Sequence, residues 1–592
     1  MTTSPLADLT VVQVSERLEG YGSTLEGEAK EAIHSLLKAL ESGLMGTLEN
    51  AYHLSAIDPG LGKSLAVAMF LRTWKAKGFV PPSSVLIGLS RLSEIPKYLD
   101  SAGLDREDVA ILTSDGQVNG KGVPEAKHGS APIMFTSQQM IERRTRGQSF
   151  AEAAEFHFQG RPRGLRIWDE SLIPAEPLIL RADLLASLPA VMRRLNPESI
   201  ASLQRFLSKL WQLKDRGRIT VPEDFARLFD TPKGKIGQDN HSLLDALRRL
   251  SGRPVALVEA GKGDMYLAGS STPLPSDFAP AVILDASGRV RETYRVWERE
   301  RGTLRRLPEA VKDYSNLDIH LWEHAVGKEA VAKPGVLPDV VRAIADVIDN
   351  NPEEDWLVVH YKDHPVDDLL RAGLKHDLGD RLHFLHWGNH HGTNEFADCR
   401  NVVLIGQLTY GAGSYLALSS ACGVKPSRRT RKLEQAMKDG EYRHNMLQAL
   451  TRAHVRRSKG GLAGTCKAFI IASPRNGAEG LIQETFPGCS IVRWMPKGPE
   501  ANGKAGALIA LFKEAAARGG VRELVKKDLR ETLDMNAPNF ARLLTLPAVG
   551  SYIAQNGINV SRHSVIIRGV QFSAYEGEGY EGGFSVEDLG GS

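Results

Sequence analysis

Short apolar runs that stop at small or charged residues recur along the first half of this chain. Residues 84–89 (Ser-Val-Leu-Ile-Gly-Leu) run into Ser90-Arg91, 131–135 into Thr136-Ser137-Gln138, 164–168 into Asp169-Glu170, and 280–284 into Asp285-Ala286-Ser287. Unbroken apolar runs of this length predict strands buried on both faces, and a strand, polar tip and helix in repetition is the pattern of a parallel α/β sheet. Within 22–46, Leu25, Ala29, Ile33, Leu36, Leu37 and Leu40 recur at helical spacing, so a packing helix precedes the sheet. From about 174 to 275 the pattern changes to leucine-rich segments such as 200–207 and 243–250, which predicts a helical insertion.

A second α/β series begins near Asp318. A helix over 338–348, with Pro338 in its first turn, precedes predicted strands at 355–362, 380–386 and 401–406, and 466–472 is expected to close this second sheet. Beyond it, two short helices (528–535 and 538–544) and a hairpin over 558–568 predict a winged-helix-like module, a form used for DNA and for protein contacts. Residues 571–592 hold five acidic residues, no Lys or Arg and many Gly, the composition of a disordered tail. The expected boundaries are a helical lead-in over 1–45, a first lobe over 46–317, a second over 318–495, the module over 496–570 and the tail over 571–592.

Composition limits the possibilities without choosing among them. At 592 residues the chain exceeds one core, and no window approaches the run of about 18 apolar residues that a membrane span needs, so no membrane partner is expected. Cys399, Cys422, Cys466 and Cys489 are widely spaced, which argues against a zinc ribbon, a four-cysteine iron–sulfur site or a disulfide scaffold and fits reduced thiols in the cytoplasm. His386, His390 and His391 lack the company a zinc site requires. The net charge of +3 is too small to imply a polyanionic partner. Seven Arg between 289 and 306, interleaved with Glu292, Glu298 and Glu300, read equally as a solvated face or as phosphate contacts.

The chemistry concentrates at Pro59-Gly60-Leu61-Gly62-Lys63-Ser64. Glycines at this spacing let successive N–H groups turn inward around a phosphate, Lys63 can reach the β- and γ-phosphates, and the Ser64 hydroxyl can hold Mg²⁺. A strand that ends in Asp169-Glu170 downstream of such a loop supplies a second Mg²⁺ ligand, Asp169, and a carboxylate, Glu170, to orient or deprotonate water. In the second half, a predicted helix over 445–457 carries Gln448, Arg452 and Arg456 at i, i+4 and i+8 on one face, a row that could complete a nucleotide site from outside.

Taken in order, these stations resemble those of superfamily 2 helicases and translocases of DEAD/DEAH-like type, particularly the divergent members of phages and mobile elements. Residues 59–64 look like motif I, Ser90-Arg91 like motif Ia, Thr136-Ser137-Gln138 like the next nucleic-acid-contacting motif, and Asp169-Glu170 like motif II. Asp285-Ala286-Ser287 is similar to the coupling motif III, Gly392-Thr393-Asn394 to motif V, and Gln448, Arg452 and Arg456 to motif VI, with Arg457 as the alternative second arginine. No glutamine motif stands upstream of Ile57. The resemblance implies two RecA-like lobes with ATP and Mg²⁺ between them, motif VI arginines acting across the cleft, and nucleic acid, DNA before RNA, lying across both lobes at Ser90, Arg91, Thr136, Ser137, Gln138, Gly392, Thr393 and Asn394. Two functions compete: an ATP-driven nucleic-acid motor, and a nucleotide-switched recruiter whose C-terminal module docks a protein partner.

Overall fold

The computed structural model describes residues 5–79, 83–229, 237–259, 264–271, 274–333, 335–389, 395–411, 413–425, 430–474, 477–496, 503–518 and 520–568. The chain divides into two compact units, Met1–Val336 with Ile344–Trp494, and Leu337–Ala343 with Met495–Ser592. The predicted first lobe falls in the first unit, as does the predicted second lobe apart from Leu337–Ala343 and Met495, which fall with the predicted module in the second.

The first lobe is a seven-stranded sheet in the order Leu304–Arg306, Tyr52–Ser55, Ala281–Leu284, Leu165–Asp169, Val85–Leu89, Ile133–Ser137, Val109–Leu112, with every pair parallel. The all-apolar runs sit in the middle of this sheet because helices cover both faces, and Val85, Leu86, Ile87, Ile133, Met134 and Phe135 are fully buried. The order sets three strand ends side by side: Ser55 leads into the phosphate loop, Asp169 closes its strand, and Leu284 leads into Asp285. This is the RecA-like arrangement expected. Two helices, Leu6–Glu19 and Gly27–Leu44, precede it and pack on one face with the helix Lys63–Ala76, whose Phe70 and Trp74 are buried. Burial of side chains that large stabilises the packing by about 1.5–3 kcal/mol each.

The insertion contains the predicted helices, Ser199–Leu210 and Gln238–Arg249, but is not purely helical. It also forms a four-stranded antiparallel sheet in the order Glu176–Arg181, Met265–Ser271, Pro254–Glu259, Arg218–Thr220. The edge strands Glu176–Arg181 and Arg218–Thr220 are partly exposed, whereas the central Pro254–Glu259 and Met265–Ser271 are mostly buried, and apolar runs of that length are not told from buried helix by periodicity.

The second lobe is a six-stranded parallel sheet in the order Leu382–His386, Trp356–His360, Asn401–Ile405, Cys466–Ala472, Leu317–Glu323, Ser490–Arg493. Cys466–Ala472 is an interior strand, not the closing one; Ser490–Arg493 takes that edge. Of the seven arginines between 289 and 306, Arg289 and Arg291 are buried in ion pairs, whereas Arg295, Arg299, Arg301 and Arg305 are exposed and read as the solvated face, each with a partner within the protein. Arg289 pairs with Asp58, Arg291 with Glu441, Arg295 with Glu292, Arg299 with Glu300, Arg305 with Glu49 and Arg306 with Glu298, while Arg301 donates to the Ala421 carbonyl.

The second unit runs helix Gly503–Ala517, strand Val521–Val525, helices Lys526–Thr532, Ala537–Leu544 and Pro547–Gln555, and the hairpin Asn559–Val560 with Ser564–Arg568. Val521–Val525 pairs with Ser564–Arg568, which becomes the middle strand of a three-stranded antiparallel sheet. The expected tail over 571–592 lies outside the described residues.

Candidate functional site

The phosphate loop is shaped by two glycines. Gly60 and Gly62 stand at φ +90° and +97°, in the left-handed region that side-chain-bearing residues rarely adopt, and the helix starts at Lys63. Leu61 turns into the core and is 5% exposed, so of the six loop residues it alone does not face the cleft. Asp58, just before the loop, is fully buried and accepts from Arg289 Nε (2.7 Å), Tyr314 Oη (2.7 Å) and the Lys312 backbone N–H (3.0 Å). Three donors on one carboxylate fix the loop from below.

Opposite it, Asp169 is 6% exposed and accepts from Tyr98 Oη at 2.6 Å, so one phenol fixes the carboxylate expected to bind Mg²⁺. Burial pushes the Asp169 carboxyl up to about 6 against the Tyr98 hydrogen bond, and pulls the Lys63 ammonium down to about 8 against Asp58 and Asp285. Both groups are thus short of counter-charge, a condition that a cation beside Asp169 and phosphates beside Lys63 would relieve. The donor set, a carboxylate and a hydroxyl, is hard oxygen and fits Mg²⁺.

Glu170 stands at φ +84°, unusual for a residue with a side chain and the kind of strain that collects at functional sites. Its Oε2 accepts from Ser90 Oγ at 2.8 Å. Gln138 Nε2 donates to the Asp169 carbonyl at 2.6 Å, and Arg91 Nη2 to the Asn389 carbonyl at 3.0 Å. Ser137 caps the helix Gln138–Arg144 by accepting from the Met140 N–H. Thr136 requires a correction: fully buried, with its hydroxyl on the Leu112 carbonyl at 2.6 Å, it ties two strands together and has no surface to offer nucleic acid. Gly392, Thr393 and Asn394 lie outside the described residues.

Asp285 is held within the first lobe, beside the Arg291–Glu441 pair that joins the lobes. Its Oδ2 accepts from Ser171 Oγ (2.8 Å) and Tyr294 Oη (2.9 Å), its Oδ1 from the Ser287 N–H and Oγ (2.8 and 2.6 Å), and Ala286 lines the cleft beside it. Burial raises the Asp285 carboxyl, but His444 and Arg291 together hold it below the usual range. Arg291 in turn donates from Nη1 to Ser171 Oγ at 2.9 Å and from Nε and Nη2 to Glu441 at 2.5 and 2.9 Å.

The predicted arginine row needs a second correction. The helix Arg431–Leu450 ends before Arg452, and Arg456 belongs to the short 3₁₀ turn His454–Arg456, so the three residues do not share a helix face. They converge nonetheless. Arg452 donates from Nε to the Gln448 carbonyl (3.0 Å) and from Nη2 to Gln448 Oε1, and Gln448, Arg452 and Arg456 line one cleft of about 430 Å³ with Gly60, Lys63, Ser64, Asp169, Glu170 and Asp285. Burial, with Arg456 nearby, pulls Arg452 down to about 10. Arg457 points elsewhere, to Asp398 and the Ala397 carbonyl, which leaves Arg456 as the second arginine of the cleft.

No family model and no curated protein matches this sequence. Among solved structures it is similar to apo XPD (12% identity, TM-score 0.43, covering 77% of this chain and 99% of that one). It is also similar to a point variant of S. cerevisiae Dbp5 bound to RNA and ADP BeF3 (10%, 0.35, 79% and 94%) and to Mss116p bound to ssRNA and AMP-PNP (10%, 0.34, 91% and 91%). Likeness at this level assigns no activity. Among the described residues no helix is long and apolar enough to cross a membrane, and no group of three or more His, Cys, Asp or Glu could hold a metal ion.

Leu18, Tyr21 and Glu94 escaped the sequence reading, and Leu65 and Leu284, read there only as helix and strand residues, also line the cleft. Leu18 closes the helix Leu6–Glu19 and packs 3.4 Å from where a Gly62 side chain would begin. Tyr21, 62% exposed with Arg17 over its ring at 5.2 Å, follows it in a glycine-flanked turn whose only signal was the aromatic itself. Glu94 opens the helix Glu94–Ala102, where an acid reads as ordinary dipole complement. Burial, with Asp169 and Glu170 as like charges, pushes it up to about 8.

Proposed function

We propose that the first unit is an ATP hydrolase of superfamily 2 type that works on nucleic acid, taking ATP between its two lobes. The observation that carries this reading is the convergence, on one cleft, of a left-handed glycine loop with Lys63, a strand end at buried Asp169 followed by Glu170, and two arginines from the other lobe. Ser64 and Asp169 would hold Mg²⁺, which supplies charge neutralisation at the β- and γ-phosphates. Lys63 and the loop amides orient the triphosphate, and its phosphates return the charge that burial weakens on Lys63. Glu170, steadied by Ser90, aligns a water and takes its proton as the water oxygen bonds to the γ-phosphorus and the β–γ bridge breaks, leaving ADP and phosphate. Arg452 and Arg456 meet the charge that develops on the transferring group. Leu18 and Tyr21 offer the base an apolar edge and a flat ring.

Because Ser90 and Gln138 touch motif II directly, a strand bound near them would act on Glu170 and Asp169 through one hydrogen bond each. The test is phosphate release with and without single-stranded DNA, duplex DNA and RNA, using Lys63→Ala as the blank. Turnover raised several-fold by a nucleic acid supports the motor. Unstimulated turnover favours the nucleotide-switched recruiter, for which the separate second unit would be the docking piece. Turnover no greater than the blank's overturns the ATPase.

A further inference from the structure

The helix Ser414–Ala421 belongs to the second lobe by sequence, since it follows the strand Asn401–Ile405 and precedes Cys466–Ala472. Its packing places it elsewhere. Among the described residues none of its side chains joins the apolar core of the second lobe, which is built around Leu357, Val359, Val402, Leu404 and Ile470. Leu418 belongs instead to the first-lobe core that contains Ile283, Tyr294 and Trp297, as do Cys422 and Val424 just beyond the helix. Arg301 of the first lobe donates from Nη2 to the Ala421 carbonyl at 2.8 Å.

Another side of the helix meets the insertion. Three strands of the insertion sheet alternate: Leu178, Leu180, Val255, Leu257 and Leu267 turn to the insertion's own helices, while Ile179, Ala256, Val258 and Ala268 turn to Leu416 and Ala417. Without the helix, that second face would be apolar and open to water. Polar contacts hold its margin. Ser270 Oγ lies 3.0 Å from Ser420 Oγ, and Arg216, in the left-handed region at φ +61°, donates from Nη1 and Nη2 to Glu434 at 2.5 and 2.7 Å. The insertion leaves the first-lobe sheet after Leu165–Asp169 and returns at the neighbouring strand, Ala281–Leu284, so both of its roots are in the first lobe.

We propose that the insertion is a clasp: it closes the helix Ser414–Ala421 against the first lobe, so that this helix stays with the first lobe when the second-lobe sheet moves and serves as the pivot of that motion. A pivot held on two sides turns the second lobe instead of releasing it. The helix Arg431–Leu450, 20 residues and roughly 30 Å long, carries Glu434 at the clasp and Gln448 at the cleft, and its Met437 lies in the first-lobe core while Met446 and Leu447 lie in the second. Rotation at the clasp is therefore felt at the cleft through one rigid element.

The clasp stands on packing, independently of the proposed ATPase, and native-state hydrogen exchange on the full chain tests it. Leu416→Asp should speed exchange about tenfold in Ser414–Ala421 and in the strands Pro254–Glu259 and Met265–Ser271, while Trp356–His360 stays within about twofold of wild type. The milder pair Ser270→Ala with Glu434→Gln should give the same pattern at about threefold. Leu404→Ala, a cavity in the second-lobe core, should speed Trp356–His360 and leave Ser414–Ala421 as protected as in wild type. Helix exchange that rises together with Trp356–His360 in Leu404→Ala overturns the clasp, and so do insertion strands unmoved by both Leu416→Asp and the milder pair. The pivot is read from a disulfide joining Ser270→Cys to Ser420→Cys. Phosphate release by the oxidised chain should stay within about twofold of the reduced chain's, and a fall of about tenfold that reductant restores overturns the pivot, because insertion and helix would then have to part during turnover. If the wild type releases no phosphate, the ATPase reading fails while the exchange pattern still decides the clasp.

Discussion

Replacing Arg291 by Met should loosen the junction between the lobes far more than an ordinary surface substitution. Arg291 and Glu441 are 4% and 1% exposed, and three guanidinium nitrogens are engaged: two on Glu441, one on Ser171. Burial alone would pull the guanidinium down, but the Glu441 carboxylate holds it above its ordinary value, so both groups are charged and depend on each other. Arg291→Met would leave Glu441 buried with Thr293 Oγ1 (3.0 Å) still donating to it, a situation that costs about 3–5 kcal/mol. Arg291→Met with Glu441→Leu removes both charges and keeps the volume, and should recover most of that loss, because paired apolar replacements of buried ion pairs are often neutral.

The assay is native-state hydrogen exchange in Glu292–Arg301 and Arg431–Leu450, the helices that carry Thr293 and Glu441. At about 1.36 kcal/mol per tenfold, the single variant should exchange roughly 10²–10⁴ times faster there and the double variant within about tenfold of wild type. Exchange in Arg291→Met within about fivefold of wild type, or a double variant no slower than the single, would refute the reasoning that the pair is buried and mutually dependent.

Lys63→Ala should abolish phosphate release and Glu170→Gln should block it while ATP still binds; wild-type turnover in Glu170→Gln would remove that residue from the reaction. Arg452→Ala should lower turnover by roughly 10³–10⁵ with little change in nucleotide affinity, and Arg452→Lys should rescue poorly because a point charge lacks the planar fork; a pure affinity defect would contradict this. Lys312 is buried with Nζ on the Val455 and Arg456 carbonyls, and burial pulls it down to about 7. The unfolded chain then holds more protons on this amine between pH 7 and 10.5, so its contribution to stability rises with pH across that window, by up to about 1.36 kcal/mol per unit, and is lost as pH falls through 7. Urea unfolding of Lys312→Met at pH 7.5 and 9.5 should show a correspondingly flatter response. Gly60→Ala should reduce nucleotide affinity and speed exchange in His454–Arg456, measured together; loss of one without the other would separate the loop from the second lobe.

The parts legible in the sequence were those written in local pattern. The phosphate loop declared itself through glycines whose positive φ only they tolerate cheaply, and both sheets through apolar runs that parallel burial on two faces requires. What failed were features decided by partners distant in the chain. Thr136 reads as a polar strand tip, and only the neighbouring strand, with Leu112 at its end, converts it to a buried donor. The arginine row continues a helical period past Leu450, yet the chain turns there. Thr451 Oγ1 back-bonds to the Leu447 carbonyl (2.7 Å), Arg452 Nε to Gln448 (3.0 Å), and the Ala453 N–H reaches Leu450 (3.1 Å) in a tighter turn. Side chains competing for the last carbonyls are invisible to periodicity, and here they are also what delivers Arg456 to the cleft.

That turn gives the phosphate loop a second constraint. A methyl group built on Gly60 would lie 1.8 Å from the Arg456 carbonyl oxygen, so glycine is required there by the second lobe as well as by its own φ of +90°. The same carbonyl accepts from Lys312 Nζ, whose backbone N–H donates to Asp58, the residue beneath the loop. Asp58 is also held by Arg289, which spans to the Thr485 carbonyl in the second lobe. The loop and the turn bearing Arg456 are therefore joined by direct backbone contact and through the buried side chains of Asp58, Lys312 and Arg289. A change in either is felt by the other at contact distance. Under the proposed function, an arginine carried on so short and braced a turn would meet charge in the cleft only when the turn itself is seated against Gly60. Lobe position and the placement of Arg456 would then be one variable, set at the glycine that also shapes the loop proposed to cradle phosphate.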